Sequence, residues 1–343
     1  MDLSVMFFGS DDADWPGGHV AKYEDILAIT KEADRLGFAA VWTPERHFQR
    51  FGQVFPNPAV LGAALAVATE RIDIRAGSLV LPLHHPLRVV EDWAIVDNLS
   101  RGRVGISVAT GWHSTDFVLA PDHYADRRER ALRDIPLLRR LWTGEAVEFT
   151  DGTGRQVAVR PQPRAVSPTL PLWLTTSGSP ETWEAAGRLR TNVLGAAIAY
   201  TREQLTERID RYHKMYDEGA VTLMAHAYLG VSDEEVRRKV RTPLMTYLKS
   251  YVVQTAGNRD RAADGRVATL TDGQRETLAE FAFERYLAWG GLLGSARTCR
   301  RTLLDLRDLG VDEVACFVDF GLDRDDVLAG LRRLAELWED ITP

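Results

Sequence analysis

The chain has 343 residues, of which 45% are hydrophobic and 27% charged, with a net charge of −7. A mildly acidic balance argues against nucleic-acid binding, which calls for a basic stripe. No apolar run of about 18 residues and no charged-then-apolar leader stands in the sequence, so a soluble, cytoplasmic protein is expected. The only cysteines are Cys299 and Cys316. Two thiols without a secretion signal are expected to be buried and reduced. Neither CxxC nor HExxH occurs, so no protein-built metal site is expected.

The N-terminal half alternates strand and helix patterns. Residues 3–8 (LSVMFF) read as a short buried strand. A helix follows over 20–36, with Ile26, Ile29, Ala33 and Leu36 at helical spacing and Gly37 as its stop. Strands at 39–43, 72–81 and 103–109 alternate with helices at 58–69, 86–99 and 127–142. Residues 145–163 read as a hairpin turning at Asp151-Gly152. Further strands fall at 171–175, 192–196, 222–229 and 312–318. The helices between and after them lie near 179–189, 201–217, 232–250, 295–309 and 324–338. Parallel strands with helical crossovers leave an open doubly wound sheet or a closed barrel. Eight strands favour the (β/α)₈ TIM barrel, as one domain over residues 1–343. The stretch 251–294 breaks the rhythm, and its aromatics (Phe281, Phe283, Tyr286, Trp289) favour a lid over disorder.

In such barrels the active site lies where the strands end. The best anion site is Ser177, Gly178 and Ser179 before a helix starting at Pro180, because glycine admits a phosphate and the helix start offers free N–H groups. A plain serine cap is the simpler alternative. Glu45, Arg46 and His47 follow the second strand, where His47 could serve as acid or base and Arg46 could hold an anion; the alternative is a surface Glu45–Arg46 pair. His84 and His85 are adjacent, diverge, and read as unremarkable. Trp112 and His113 follow a Thr-Gly turn. Phe7, Phe8, Trp42 and Trp112 could enclose a flat ring system, although Trp42 reads as packing. No GxSxG elbow is present.

Four stretches carry a resemblance. They are VLPLHHPLRVVEDWAIVDNLSRGRVGISVATGWHSTDF (Val80 to Phe117), PERHFQRFG (44–52), TTSGSPETWEAAG (175–187) and GVDEVACFVDFG (310–321). Together they resemble the bacterial-luciferase-like family of flavin-dependent monooxygenases over residues 3–340. The last stretch, with PERHF, looks like the subgroup associated with polyketide and nonribosomal-peptide natural products.

The resemblance implies a (β/α)₈ barrel and reduced FMN supplied by a separate NAD(P)H:flavin reductase. It also implies a homodimer and a substrate that is either a small molecule or tethered to a carrier protein. The FMN phosphate would sit at Ser177, Gly178 and Ser179, and the isoalloxazine against Phe7, Ser78, Ala109, Thr110 and Gly111. His47, Arg46 and His113 are the candidates for steering hydroxylation or Baeyer–Villiger insertion. Arg88, Glu91, Asp97, Ser100 and Arg103 match the family but look structural. Luciferase itself has two adjacent histidines where this chain has Arg46 and His47, so light emission is not expected. Two other readings stay open: a deazaflavin-dependent dehydrogenase of the same fold, and a barrel that binds flavin without turnover.

Overall fold

The structure is a computed structural model that describes residues 1–9, 15–259 and 271–341. Its elements in chain order are β1 (Asp2–Met6), α1 (Gly18–Leu36), β2 (Ala40–Thr43), α2 (Pro58–Ala68), β3 (Asp73–Val80), α3 (Pro86–Ser100) and β4 (Val104–Ala109). Then come α4 (Arg127–Trp142), the hairpin strands β5 (Val147–Thr150) and β6 (Gln156–Val159), β7 (Leu172–Thr176), α5 (Pro180–Leu189), β8 (Asn192–Ala196), α6 (Arg202–His213) and β9 (Val221–Leu229). The chain continues through α7 (Asp233–Arg259), α8 (Asp272–Ala288), β10 (Leu292–Gly294), α9 (Ala296–Asp308), β11 (Glu313–Phe317) and α10 (Arg324–Ile341).

Eight parallel strands close on themselves in the order β9, β11, β1, β2, β3, β4, β7, β8, with β8 pairing back onto β9. This is the expected (β/α)₈ barrel. Local chemistry sets many of the helix ends. Asn57 caps α2 by accepting from Ala59 and Val60 N–H, with Pro58 in the first turn. Thr201 and Gln204 make a reciprocal capping box on α6. Gly37 ends α1 at φ 81°, a conformation that costs glycine least.

Strand alternation divides the core in two. Leu3, Val5 and Phe7 point outward to the helices, while Ser4 and Met6 point into the barrel. Inside, Met6, Trp42, Trp173, Leu194, Met224 and Phe317 fill the lumen. Trp42 is packing, as expected, edge-on to Trp173 at 5.0 Å. Below them a polar layer plugs the N-terminal end. Arg75 pairs with Glu313 at 2.7 Å and Asp73 at 2.8 Å, and Ser4 and the Trp42 indole donate to the same Glu313. With that end plugged, a ligand is expected at the C-terminal ends of the strands.

One expectation is corrected. The first strand stops at Met6, and Phe7 is fully buried among the outer core residues, stacked with Phe55 at 6.3 Å; its side chain faces away from the mouth. The stretch 251–294, expected as a lid-like insertion before the last strand, is largely helical where it is described. It comprises the end of α7, then α8, then the short strand β10, which pairs with β9 from Leu292↔Ala227 to Gly294↔Leu229. Residues 260–270 of it lie outside the described residues. α8 docks through fully buried Ala279 and Phe283, and ion pairs Arg237–Glu284, Arg241–Glu280 and Lys249–Glu276 lace it to α7. The surface Glu45–Arg46 pair, the alternative to a functional role for this loop, does not form, as shown below.

Candidate active site

β2 delivers Pro44, Glu45, Arg46 and His47 to the mouth. Glu45 is the anchor, its side chain wholly buried. Its Oε2 accepts the Val80 N–H at 2.7 Å, while Oε1 faces His47 Nε2 at 3.0 Å and His84 Nε2 at 2.6 Å. Burial alone would raise the Glu45 pKa. Hydrogen bonds from His47 and His84, the His84 charge and the Val80 N–H outweigh it, and the carboxylate is held below its ordinary range. Burial likewise works against a charged His84, but the Glu45 bond and charge, with Asp92 behind them, raise it above its ordinary value. Glu45 and His84 thus favour each other's charged form. His84, to which no local sequence signal points, joins the site through Glu45. His85 does not: its Nδ1 accepts the Leu87 N–H and starts α3.

Arg46 turns back over the first strand. Its Nε donates to the Phe8 carbonyl at 2.9 Å, and its guanidinium lies 4.0 Å from the Phe8 ring centre and 5.0 Å from that of Phe51. Phe8, just past β1, and not Phe7, is thus the aromatic at the mouth, its ring centre 4.8 Å from that of Phe317. From the β4 end, His113 lies tilted against half-exposed Trp112, the ring centres 3.9 Å apart. Burial, and then the nearby Arg46 charge, push the His113 pKa down to about 4. Its buried Nε2 has no hydrogen-bond partner among the described residues. Asp116 was missed in the sequence. Burial pushes it up to about 6, against the pull of His47 and Arg46, and its Oδ1 is also buried without a partner. Arg46, His47, His113 and Asp116 thus converge, although they come from two different loops.

Of the residues expected around a flat ring, Ser78 faces the lumen, where its hydroxyl and that of Ser107 (2.6 Å) both meet Thr175 Oγ1. Ala109 and Thr110 are half-buried at the β4 end. Gly111 has φ 78°, and an added Cβ would strike Phe117 at 2.8 Å, so its lack of a side chain serves packing within the loop.

The Ser177–Ser179 turn stands at the start of α5. Gly178 has φ 114°, and an added Cβ would find nothing in the protein closer than 3.8 Å, so the turn leaves open space. Ser179 directs its hydroxyl to Glu181 at 2.5 Å and does not cap the helix N–H groups. Arg128 from α4 reaches Thr182 Oγ1 at 3.4 Å, and the charges of Arg128 and Arg208 are both felt at Glu181. The Arg208 Nε is buried without a partner among the described residues. Two cations beside an open helix start suit an anion. No local sequence signal points to either arginine, since they come from α4 and α6. Among the described residues no cluster of His, Cys, Asp and Glu is arranged to hold a metal ion.

The family model described as luciferase-like monooxygenase matches residues 1–313. The chain belongs to the luciferase-like monooxygenase family. Within this family it is 25% identical, over 91% of its length and 88% of the relative's, to the oxygenase component of flavin-dependent trigonelline monooxygenase from Acinetobacter baylyi. It is 26% identical to limonene 1,2-monooxygenase from Rhodococcus erythropolis, over 79% of this chain and 72% of that one. In three dimensions this luciferase-like barrel overlays monooxygenase RslO1 from Streptomyces bottropensis with a TM-score of 0.82, over 99% of both chains at 23% identity.

The residues that match the family along α3 are structural, as expected. Asp97 accepts from Val166 N–H (2.6 Å), Ser167 N–H (2.9 Å) and Ser167 Oγ (2.6 Å). Arg103 ties off the carbonyls of Ala66, Thr69, Ile72 and Ser100. Arg88 and Glu91 lie in exposed pairs on the helix surface. No helix among the described residues is long and apolar enough to cross a membrane.

Proposed function

We propose that this monooxygenase takes reduced FMN from a separate flavin reductase and uses dioxygen to oxygenate an organic substrate in secondary metabolism. The observation that carries the reading is the open turn at Gly178 beside Arg128 and Arg208, a cradle whose free space and charge fit a phosphate. Ser177, Gly178 and Ser179 would hold the phosphate. Ser78, Ala109 and Thr110 would face the ring, with Phe8 in the place expected of Phe7. The trigonelline relative is named an oxygenase component, which supports a separate reductase here.

When bound, reduced flavin supplies the two electrons that dioxygen activation consumes. The chain's own residues do the rest. His113, held neutral, can accept a hydrogen bond or a proton. Asp116, protonated below about pH 6, can give one. Arg46 offers fixed positive charge to an oxyanion or an acidic substrate, and the aromatic wall of Phe8, Phe51 and Tyr247 keeps water from that side of the mouth. The substrate is either a small free acid or a carrier-tethered acyl group.

The test mixes the protein with FMN, a reductase and candidate substrates in air, and follows oxygen uptake and product mass. Arg46→Met and His47→Ala should lower product formation by roughly 10²–10⁴-fold. Hydrogen peroxide per reduced flavin should rise in the same variants, because oxygen activation then runs uncoupled. Oxygen-independent hydride transfer with a deazaflavin would overturn the FMN reading. Unchanged coupling in both variants would remove these two residues from it.

A further inference from the structure

The Glu45 carboxylate does more than its anchoring role requires. Oε2 and the Val80 N–H already fix the loop at 2.7 Å. The other oxygen receives two imidazoles, and these open in different directions. His47 stands at the mouth beside Asp116. His84 lines a groove of about 500 Å³ on the outer side of the barrel, walled by Pro82, Leu119, Arg130, Asp134 and Phe149. The His84 side chain is 26% exposed and that of Glu45 is 0% exposed, so the carboxylate is a buried link between two unlike surfaces. Burying an ionised pair is costly, and an apolar contact would hold the loop more cheaply.

We infer that His84, Glu45 and His47 form a proton path from the outer groove to the barrel mouth, with His84 as its solvent-side terminal. The inference rests on the reading of the mouth as the reaction site. A mouth that excludes water needs another route by which its acid is recharged. Both gaps, 2.6 Å and 3.0 Å, lie within the reach of direct proton transfer. In one passage, charged His84 gives its Nε2 proton to Glu45 Oε1, and that oxygen gives a proton to His47 Nε2, which must be bare at the start. Glu45 ends as the carboxylate it was, His84 ends neutral, and no electrons move. Water in the groove returns one proton to His84. His47, now charged, has its second ring N–H available to the mouth.

Other charges bear on the path. Asp92 of α3 faces His84 and favours its charged form. His123, Arg130, Arg133 and Asp134 share the groove. Asp116 and Arg46 stand near His47 and Glu45.

The decisive measurement uses the flavin-free protein. With ¹⁵N-labelled histidine, solvent exchange of the His47 ring proton is followed by NMR in wild type, His84→Ala and His84→Gln. Exchange should slow at least about a hundredfold in both variants, the low side of what a positioned proton carrier contributes. Added imidazole should restore it in His84→Ala by filling the space left beside the groove. With reduced FMN and substrate, the same variant should lose product formation to a similar extent and regain it with imidazole. His84→Gln covers the case in which the alanine variant does not fold. Exchange at the wild-type rate in a folded variant overturns the path, as does slowed exchange that imidazole leaves slow. A wild-type protein that oxygenates nothing, while exchange still slows in His84→Ala and returns with imidazole, overturns the flavin reading and leaves the path standing.

Discussion

At Gly178 the backbone and the space around it make separate demands, and a single methyl group tests them. Alanine there meets Ala199 Cβ at 3.8 Å and nothing nearer, so the protein has room for it. The φ of 114° strains any side chain, but the turn is short and local. Gly178→Ala should therefore keep the fold and weaken FMN binding, read by flavin fluorescence titration. Losing one or two charge-assisted hydrogen bonds to the phosphate corresponds to about 2–4 kcal/mol. An unchanged dissociation constant would take the phosphate away from this turn.

Asp116 gives a pH signature. Its folded pKa of about 6 stands above the ordinary 3.8 because burial disfavours the charge. The folded state then binds more protons than the unfolded one between these values, so stability falls as pH rises from about 4 to 6 and stays lowered above. His113 runs the other way. Its pKa is lowered from 6.5 to about 4, so it costs stability as pH falls through that window. Asp116→Asn should stabilise the protein by about 1–2 kcal/mol near pH 8 and by nothing near pH 4, after allowing for solvent screening. A gain of equal size at both pH values would show that the residue does not titrate as described. Little of this was legible beforehand. Asp116 lies three residues past His113 in a matched stretch, but burial gives it its pKa, and burial is a tertiary fact. Likewise, adjacent His84 and His85 look alike in sequence; only the position of Glu45 separates them.

Elements were read more reliably than side chains, because period and punctuation are local. The hairpin turned at Asp151 as expected, and all eight barrel strands were placed. Where the reading failed, packing had overridden punctuation. Gly257, Asn258 and Gly273 look like loop residues, yet α7 runs to Arg259 and α8 begins at Asp272. Phe7 followed an unbroken apolar run, and a run that apolar does not reveal which residues face the lumen. The α7–α8 pair is held by buried Phe283 under the guanidinium groups of Arg237 and Arg241. Phe283→Ala should cost about 3–5 kcal/mol of local stability. Hydrogen exchange should then accelerate in α8 while β2 and β4 keep their protection. Glu280→Ala, which breaks only the exposed pair with Arg241, should cost no more than about 1 kcal/mol. Equal effects of the two variants would mean that ion pairs, not the aromatic anchor, seat this helix.

On the scale of the whole molecule, the eight barrel strands pair around a closed ring, so the helices outside it are the natural place to look for a partner surface. The outer faces of α2 and α3 carry an unusual share of apolar surface. Val60 is 70% exposed, Val67 67%, Ile95 46% and Leu99 45%. The two helices pack on each other beneath that surface through Gly62, where an added Cβ would crowd Ile74 at 3.2 Å and Val96 at 3.7 Å. Exposed apolar residues on two packed helices suit a second copy of the chain, since a two-fold axis would set the same residues against themselves. It also lies on helices away from the mouth loops, so pairing would leave the candidate site open. The expected homodimer then makes a definite claim. Val60→Glu with Leu99→Glu places like charges face to face across the axis, which costs far more in the dimer than in the monomer. Light scattering coupled to size exclusion should show about one chain mass for this variant and two for wild type. FMN affinity per chain should match in both, because the Gly178 turn is built within one barrel. A wild-type protein that runs at one chain mass across the micromolar range would end the dimer proposal. A dimer that survives both glutamates would move it to another face.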